Sequence, residues 1–276
     1  SLAESHSRLG KEIEDNDLLE RACKFYSKAM DLKPHAPALT YDYATALLKW
    51  GEMSREPKII EESIAHFEEA FHMQKDAILQ RPEWLFNYAI ALDLLGDCSD
   101  KENCYTKALE IFHHILLLDP NFPKIHYHIA LTLSHLAEVD MEIGYFEKAL
   151  SFFQLAIKQD DEDEKAFLDW GLTHIFLGSQ TENQEIAQIH FFEAEKRILR
   201  SGQLGHPHAY YHLACLYSLT HRINEAVSLL QKAYELDVLP KTDELLQDEW
   251  LENVRNSEIF SEFMTAIENK QKLREE

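Results

Sequence analysis

Apolar positions recur along this chain at helical spacing, and the pattern repeats. In "KIHYHIALTLSHLAE" (124–138), Ile125, Ile129, Leu133 and Leu136 fall within ~80° of one another on a helical wheel, with Ala130 and Ala137 on the flank. Tyr127, His128, Leu131, Ser134 and His135 take the other side. A second kind of helix recurs in register: "KFYSKAMDLKP" (24–34), "AHFEEAFHMQKD" (65–76), "EIFHHILLLDP" (110–120), "SFFQLAIKQDD" (151–161) and "SLLQKAYELD" (228–237). Each sets an apolar pair before a small or β-branched residue and closes on an acidic or Pro-containing end. Helices of the first kind recur in register as well: "PALTYDYATALLKWGE" (37–52), "PEWLFNYAIALDLLGD" (82–97), "PKIHYHIALTLSHLAE" (123–138), "EKAFLDWGLTHIFLGS" (164–179) and "PHAYYHLACLYSLTHR" (207–222). Four of these open with Pro, which the first turn tolerates because its N–H has no helical acceptor. Gly51, Gly96 and Gly178 stand where a helix C-cap is expected.

The pattern resembles the tetratricopeptide repeat, whose helix–turn–helix units follow W-x₂-L-G-x₂-Y…A-x₃-F…P. The first unit carries Leu9-Gly10, Ala22, Tyr26, Ala29 and Pro34; later ones carry Ala149, Phe153 and Ala156, and Ala226, Leu230 and Ala233. The resemblance implies an all-α, right-handed superhelical α-solenoid. Six helix-pair repeats are expected over 1–238 (approximately 3–36, 37–81, 82–122, 123–163, 164–206 and 207–238), with capping helices and a charged tail over 239–276. The cap would use Leu245, Leu246, Trp250, Ile259, Phe260 and Phe263, while "ENKQKLREE" frays. From Ala3 to Pro37, Pro82, Pro123, Glu164 and Pro207 the spacing is 34, 45, 41, 41 and 43 residues, so only the first unit has the family's usual length. The additions, "EMSREPKIIEE", "DCSDKENCYTK", "EVDMEIGYFEK" and "SQTENQEIAQ", fall between paired helices, either as extra helical turns or as ordered loops forming a second edge.

Composition narrows the function. The 276 residues carry 27 Lys+Arg against 49 Asp+Glu, a formal charge of −22, which repels nucleic-acid phosphates and anionic membranes. Cys23, Cys98, Cys104 and Cys215 form no CxxC pair, which points to a reduced, cytoplasmic setting. No apolar run reaches the ~18–20 residues of a membrane span, and the opening "SLAESHSRLGKEIED" lacks a signal-peptide core.

The 15 histidines raise a metal or catalytic site. His126 lies about 200° from His128 on one helix, and His128 and His135 are separated by a rise of ~10.5 Å, so no single helix brings them onto one ion. His208 and His212 have i,i+4 spacing, with His206 nearby, but no H-E-x-x-H motif accompanies them. His113 and His114 read as packing or surface groups. "DDEDE" (160–164) reads as a solvated turn without the ligand spacing of a calcium loop. No nucleophile elbow or P-loop occurs. No cofactor or metal is expected, and the chain reads as a non-enzyme.

What the resemblance implies is a concave groove lined by first helices, binding an extended peptide or a partner helix. One row would be Tyr41, Phe86, Tyr127, Leu168 and Tyr211; the next residues are Asp42, Asn87, His128, Asp169 and His212; Thr45, Ile90, Leu131, Leu172 and Cys215 follow. The binding set expected from these rows is Tyr41, Phe86, Asn87, Tyr127, His128, Leu131, His135, Asp169, Tyr211 and His212. Aromatic rings supply rigid area at small entropic cost, and histidine in the groove would make binding pH-sensitive. Members that capture a C-terminal carboxylate use two Asn and several basic residues; Asn87 matches one, but Asp42 replaces the other. The expected partner is therefore a neutral, apolar or basic protein segment. The leading function is a protein-binding scaffold or adaptor. A bacterial secretion-type chaperone and, further off, a metal-dependent enzyme are alternatives, and self-association is open.

Overall fold

The computed structural model describes residues 2–12, 15–74, 81–99 and 101–275, with the side chains of 2, 10–12 and 270–275 set aside. Among them every regular element is helical, and the chain divides into two compact units, 1–152 and 153–276.

The first unit holds α1 (Leu2–Glu12), α2 (Asn16–Leu32), α3 (Pro37–Ser54), α4 (Pro57–Met73), α5 (Pro82–Ser99), α6 (Glu102–Leu118) and α7 (Ile125–Asp140). Helix α8 (Ile143–Gln159) begins in the first unit and ends in the second. The second unit continues with α9 (Glu164–Gln180), α10 (Gln184–Gln203), α11 (Ala209–Leu219), α12 (Ile223–Glu235), α13 (Thr242–Gln247), a 3₁₀ turn (Glu249–Leu251), α14 (Glu252–Arg255) and α15 (Glu258–Glu275). Pro37, Pro57 and Pro82 each occupy a first helical turn, whereas Pro123 and Pro207 stand ahead of α7 and α11. Asp15, Asp163 and Asn183 cap α2, α9 and α10, their side chains accepting from backbone N–H groups of the first turn. The acidic 160–164 stretch thus ends in a helix cap, with Asp163 itself buried.

The second helix of each pair packs through one short register. In the first unit, Ala22, Ser63, Ala108 and Ala149 are fully buried, and Tyr26, Phe67 and Phe112 follow four residues later, also buried. In the second unit, Ala194 and Ile198, then Ala226 and Leu230, repeat the arrangement with no exposure. A small residue lets the paired helix approach, and the larger one fills the space beside it. Where serine enters this register it stays satisfied: Ser63 Oγ donates to Ala44 O at 2.8 Å, and Ser201 Oγ donates to Glu164 O at 2.7 Å.

The expected glycine caps need correction. Gly51, Gly96 and Gly178 lie inside α3, α5 and α9, and α3 and α7 end instead on Arg55 and Met141 in the left-handed conformation. These glycines mark close helix crossings. A Cβ would come within 2.7 Å of Ile60 at Gly51, and within 2.6 Å of the rings of Tyr105 and Phe191 at the other two. The added residues of the long repeats are helical turns: α3 runs to Ser54 with α4 starting at Pro57, α7 to Asp140 with α8 at Ile143, and α9 to Gln180 with α10 at Gln184. Within "DCSDKENCYTK", residue 100 lies outside the described residues and the rest is helical but for Lys101.

At the C-terminus, Leu245, Phe260 and Phe263 are buried beside Leu251, Val254, Met264 and Ile267, in one core with α11 and α12. Trp250 is half-buried, while helix register turns Leu246 and Ile259 outward. Helix α15 spans Glu258–Glu275 and so includes most of the charged tail.

Candidate partner-binding face

In the first unit, α3, α5 and α7 place the expected groove residues in contact with one another. Asn87 Nδ2 donates to Tyr41 Oη at 2.7 Å, and Tyr41 Oη donates to Glu83 O at 3.1 Å. Burial pushes the Tyr41 phenol up to about 12, so it stays protonated and fills both roles. The Tyr41 ring stacks on Trp84, centroids 4.2 Å apart and 9° from parallel, and the Arg81 guanidinium lies 5.0 Å from the centre of that indole. One helix on, Phe86 meets His128 edge to face at 4.9 Å and packs on Phe122 at the same distance. A single rule covers these contacts: an aromatic of one first helix meets the following-row residue of the next, Tyr41 with Asn87 and Phe86 with His128.

Two turns further along the same helices a polar pair takes over, with His135 Nδ1 3.3 Å from Asp93 Oδ1. Burial alone would lower this imidazole's pKa, but Asp93, with Asp97 and Glu138 behind it, outweighs burial and carries it up to about 9. His135 is therefore protonated between pH 5.5 and 7.5, and the pH response expected of groove histidines does not come from it. Asp97, Tyr105, His135, Glu138 and Val139 line a surface pocket of about 370 Å³, and Arg55 pairs with Asp97 at its margin.

The expected binding residues differ in access. Tyr41, Phe86, Asn87, His128, Leu131 and His135 are half-buried, whereas Tyr127 is buried. His126 faces away from His128, its ring 6.1 Å from Phe152. In the second unit Tyr211 is buried and donates to Asp248, whose carboxylate also receives the Cys215 thiol at 3.7 Å. Asp169 and His212 are half-buried there. His212 Nδ1 is buried without a hydrogen-bond partner, and burial, with His208 and His206 nearby, lowers its pKa to about 4. Among the described residues, no three His, Cys, Asp or Glu side chains are placed to hold a metal ion. All four cysteines are free thiols.

Sequence reasoning alone does not single out Trp84 beside Tyr41, Asp93 opposite His135, or, in the second unit, the contact of buried His174 with half-buried His190, Nδ1 to Nδ1 at 3.0 Å. Asp93 carries a signal in retrospect. Asp93 and His135 are 42 residues apart, as are Phe86 and His128, one more than the 41-residue repeat between α5 and α7.

Paired antiparallel helices with a small-then-large buried register define the helix-pair repeat class. Residues 207–237 match the family model for the tetratricopeptide repeat. No curated protein sequence matches the chain. Among solved structures, the tetratricopeptide repeat protein TTC0263 of Thermus thermophilus aligns over 74% of this chain and 95% of its own, with TM-score 0.53 and 22% identity. PilW, a type IV pilus biogenesis factor, aligns over 93% of this chain and 99% of its own, with TM-score 0.52 and 16% identity. The fold is that of the tetratricopeptide repeat proteins. Among the described residues, no helix is long and apolar enough to cross a membrane.

Proposed function

We propose that this chain is a non-enzymatic interaction scaffold, holding an extended or helical segment of a partner protein against the α3–α5–α7 face of its first unit. The observation that carries the reading is the ladder Tyr41–Asn87, Phe86–His128 and Asp93–His135, which locks side chains from the three alternate helices α3, α5 and α7 into one surface. Side chains already held lose little freedom when a ligand arrives, so contacts to Phe86 and Leu131 translate into affinity. The segment is neutral or basic. Asp42 and Glu138 are exposed carboxylates on this face; partial desolvation and neighbouring Glu4 raise the pKa of Asp42, and partial desolvation with nearby Asp97 raises that of Glu138 against the opposing pull of His135. Cationic side chains would relieve both. A chain charge of −22 draws such segments at long range.

Leu131 is the position to probe, because it is half-buried on this face. A photocrosslinker at 131 should capture a defined partner segment, and Leu131→Lys should lose that partner at an unchanged melting temperature. A partner retained at full affinity by folded Leu131→Lys would overturn the assignment.

A further inference from the structure

Helix α10, with 20 residues, is the longest among those described, and its two sides differ sharply. Ala194, Ile198 and Ser201 on the inner side have no exposure. On the outer side Ile189 is 62% and Phe192 66% exposed, and Leu199 is also exposed. With Glu185, Lys196 and Arg200 these form one stripe at helical spacing. Exposed large apolar side chains are ordinary one at a time, but a row of them marks a contact surface. The charges on the stripe are sorted: Glu185 stands at the N-terminal end, Lys196 and Arg200 at the C-terminal end.

We propose that α10 packs antiparallel against α10 of a second copy of this chain, about a two-fold axis beside Phe192. In that register Phe192 meets its own copy, the aliphatic stem of Lys196 covers Ile189, and Glu185 faces Arg200, each pair occurring twice by symmetry. A parallel arrangement would instead set Glu185 against Glu185 and Arg200 against Arg200. The stripe is complementary to its own reverse, which is the signature of a self-association surface rather than a site for an unrelated helix. Elsewhere a chain of charge −22 repels itself, whereas this stripe holds two cations and one carboxylate. One helix pair buries less than the ~1,200–2,000 Å² of a stable interface, so the dimer is weak and forms in the micromolar range.

Sedimentation velocity from about 5 to 200 µM tests this. The wild type should move from monomer toward dimer across that range, and Phe192→Glu should weaken association about tenfold or more without changing the melting temperature. Arg200→Glu alone should weaken it several-fold, and Glu185→Arg/Arg200→Glu together should restore it. Under mild oxidation Phe192→Cys should cross-link to its own copy, whereas Gln203→Cys, far from the axis, should not. A monomer at every concentration, a dimer indifferent to Phe192→Glu, or a double variant no better than Arg200→Glu would each overturn the proposal.

Discussion

Gly171 offers a direct test of how closely paired helices approach. A Cβ at this position would lie 2.4 Å from Ile198 Cγ1, 3.2 Å from its Cδ1 and 3.3 Å from Ala194 O. Ordinary carbon contacts are about 3.5–4.0 Å, so the first overlap exceeds about 1 Å. Ile198 has no exposed surface and cannot swing away, and a backbone carbonyl cannot yield without moving α10. Glycine inside an exposed helix costs about 1 kcal/mol relative to alanine, so Gly171→Ala would stabilise the chain if nothing opposed it. Overpacking at a rigid site costs about 1–3 kcal/mol, occasionally more, and the overlap here belongs at the upper end. The net expectation is a loss of about 1–2 kcal/mol, seen in urea unfolding and as a fall in melting temperature of about 2–4 °C per kcal/mol. Ile198→Ala should cost about 2–5 kcal/mol alone, and less in the Gly171→Ala background, where the new methyl occupies part of the vacated space. Gly171→Ala at or above wild-type stability, or strict additivity in the double variant, would refute the close-approach reasoning.

Two further predictions concern polar groups that bind elements together. His135 is raised from 6.5 to about 9, so it contributes stability that is full below pH 6.5 and lost as pH rises through 9, at most about 3 kcal/mol. The stability gap between wild type and His135→Gln should narrow between about pH 7 and 10, and an NMR titration of His135 with a midpoint near 6.5 would sink this assignment. Asp248 accepts from the buried Tyr211 hydroxyl and, at 2.8 Å, from Trp250 N. Asp248→Ala should cost about 1–3 kcal/mol and speed hydrogen exchange in α13, the 3₁₀ turn and α14. Unchanged exchange there would show that the apolar core alone holds this segment.

Much of the architecture was legible because it rests on local chemistry. Helical spacing, prolines at first turns and the small-then-large register at Ala149–Phe153 and Ala226–Leu230 act within one or two turns, and a linear reading recovers them. The register in α10, Ala194 followed by Ile198 and Ser201, escaped notice because serine and isoleucine replace the residue types that make the pattern visible. Gly51, Gly96 and Gly178 were misplaced as caps for a related reason: a glycine near a helix end can serve a left-handed turn or a tight crossing, and only the position of Ile60, Tyr105 or Phe191 tells which.

The sequence by itself determined which faces of α3, α5 and α7 turn inward, since Ile125, Ile129, Leu133 and Leu136 must leave water together. It also determined that His126 and His128 diverge, because 100° per residue admits no other outcome. What only the tertiary structure decided is how much of the outward face stays available. Tyr127 is covered, Tyr41 is spent on Asn87 and Glu83, and Tyr211 is spent on Asp248, whereas Leu131 remains half-exposed. The charge on His135 belongs to the same category, for its partner Asp93 stands 42 residues away. Burial and pairing are properties of neighbours brought together by stacking, and a helical wheel contains one helix at a time.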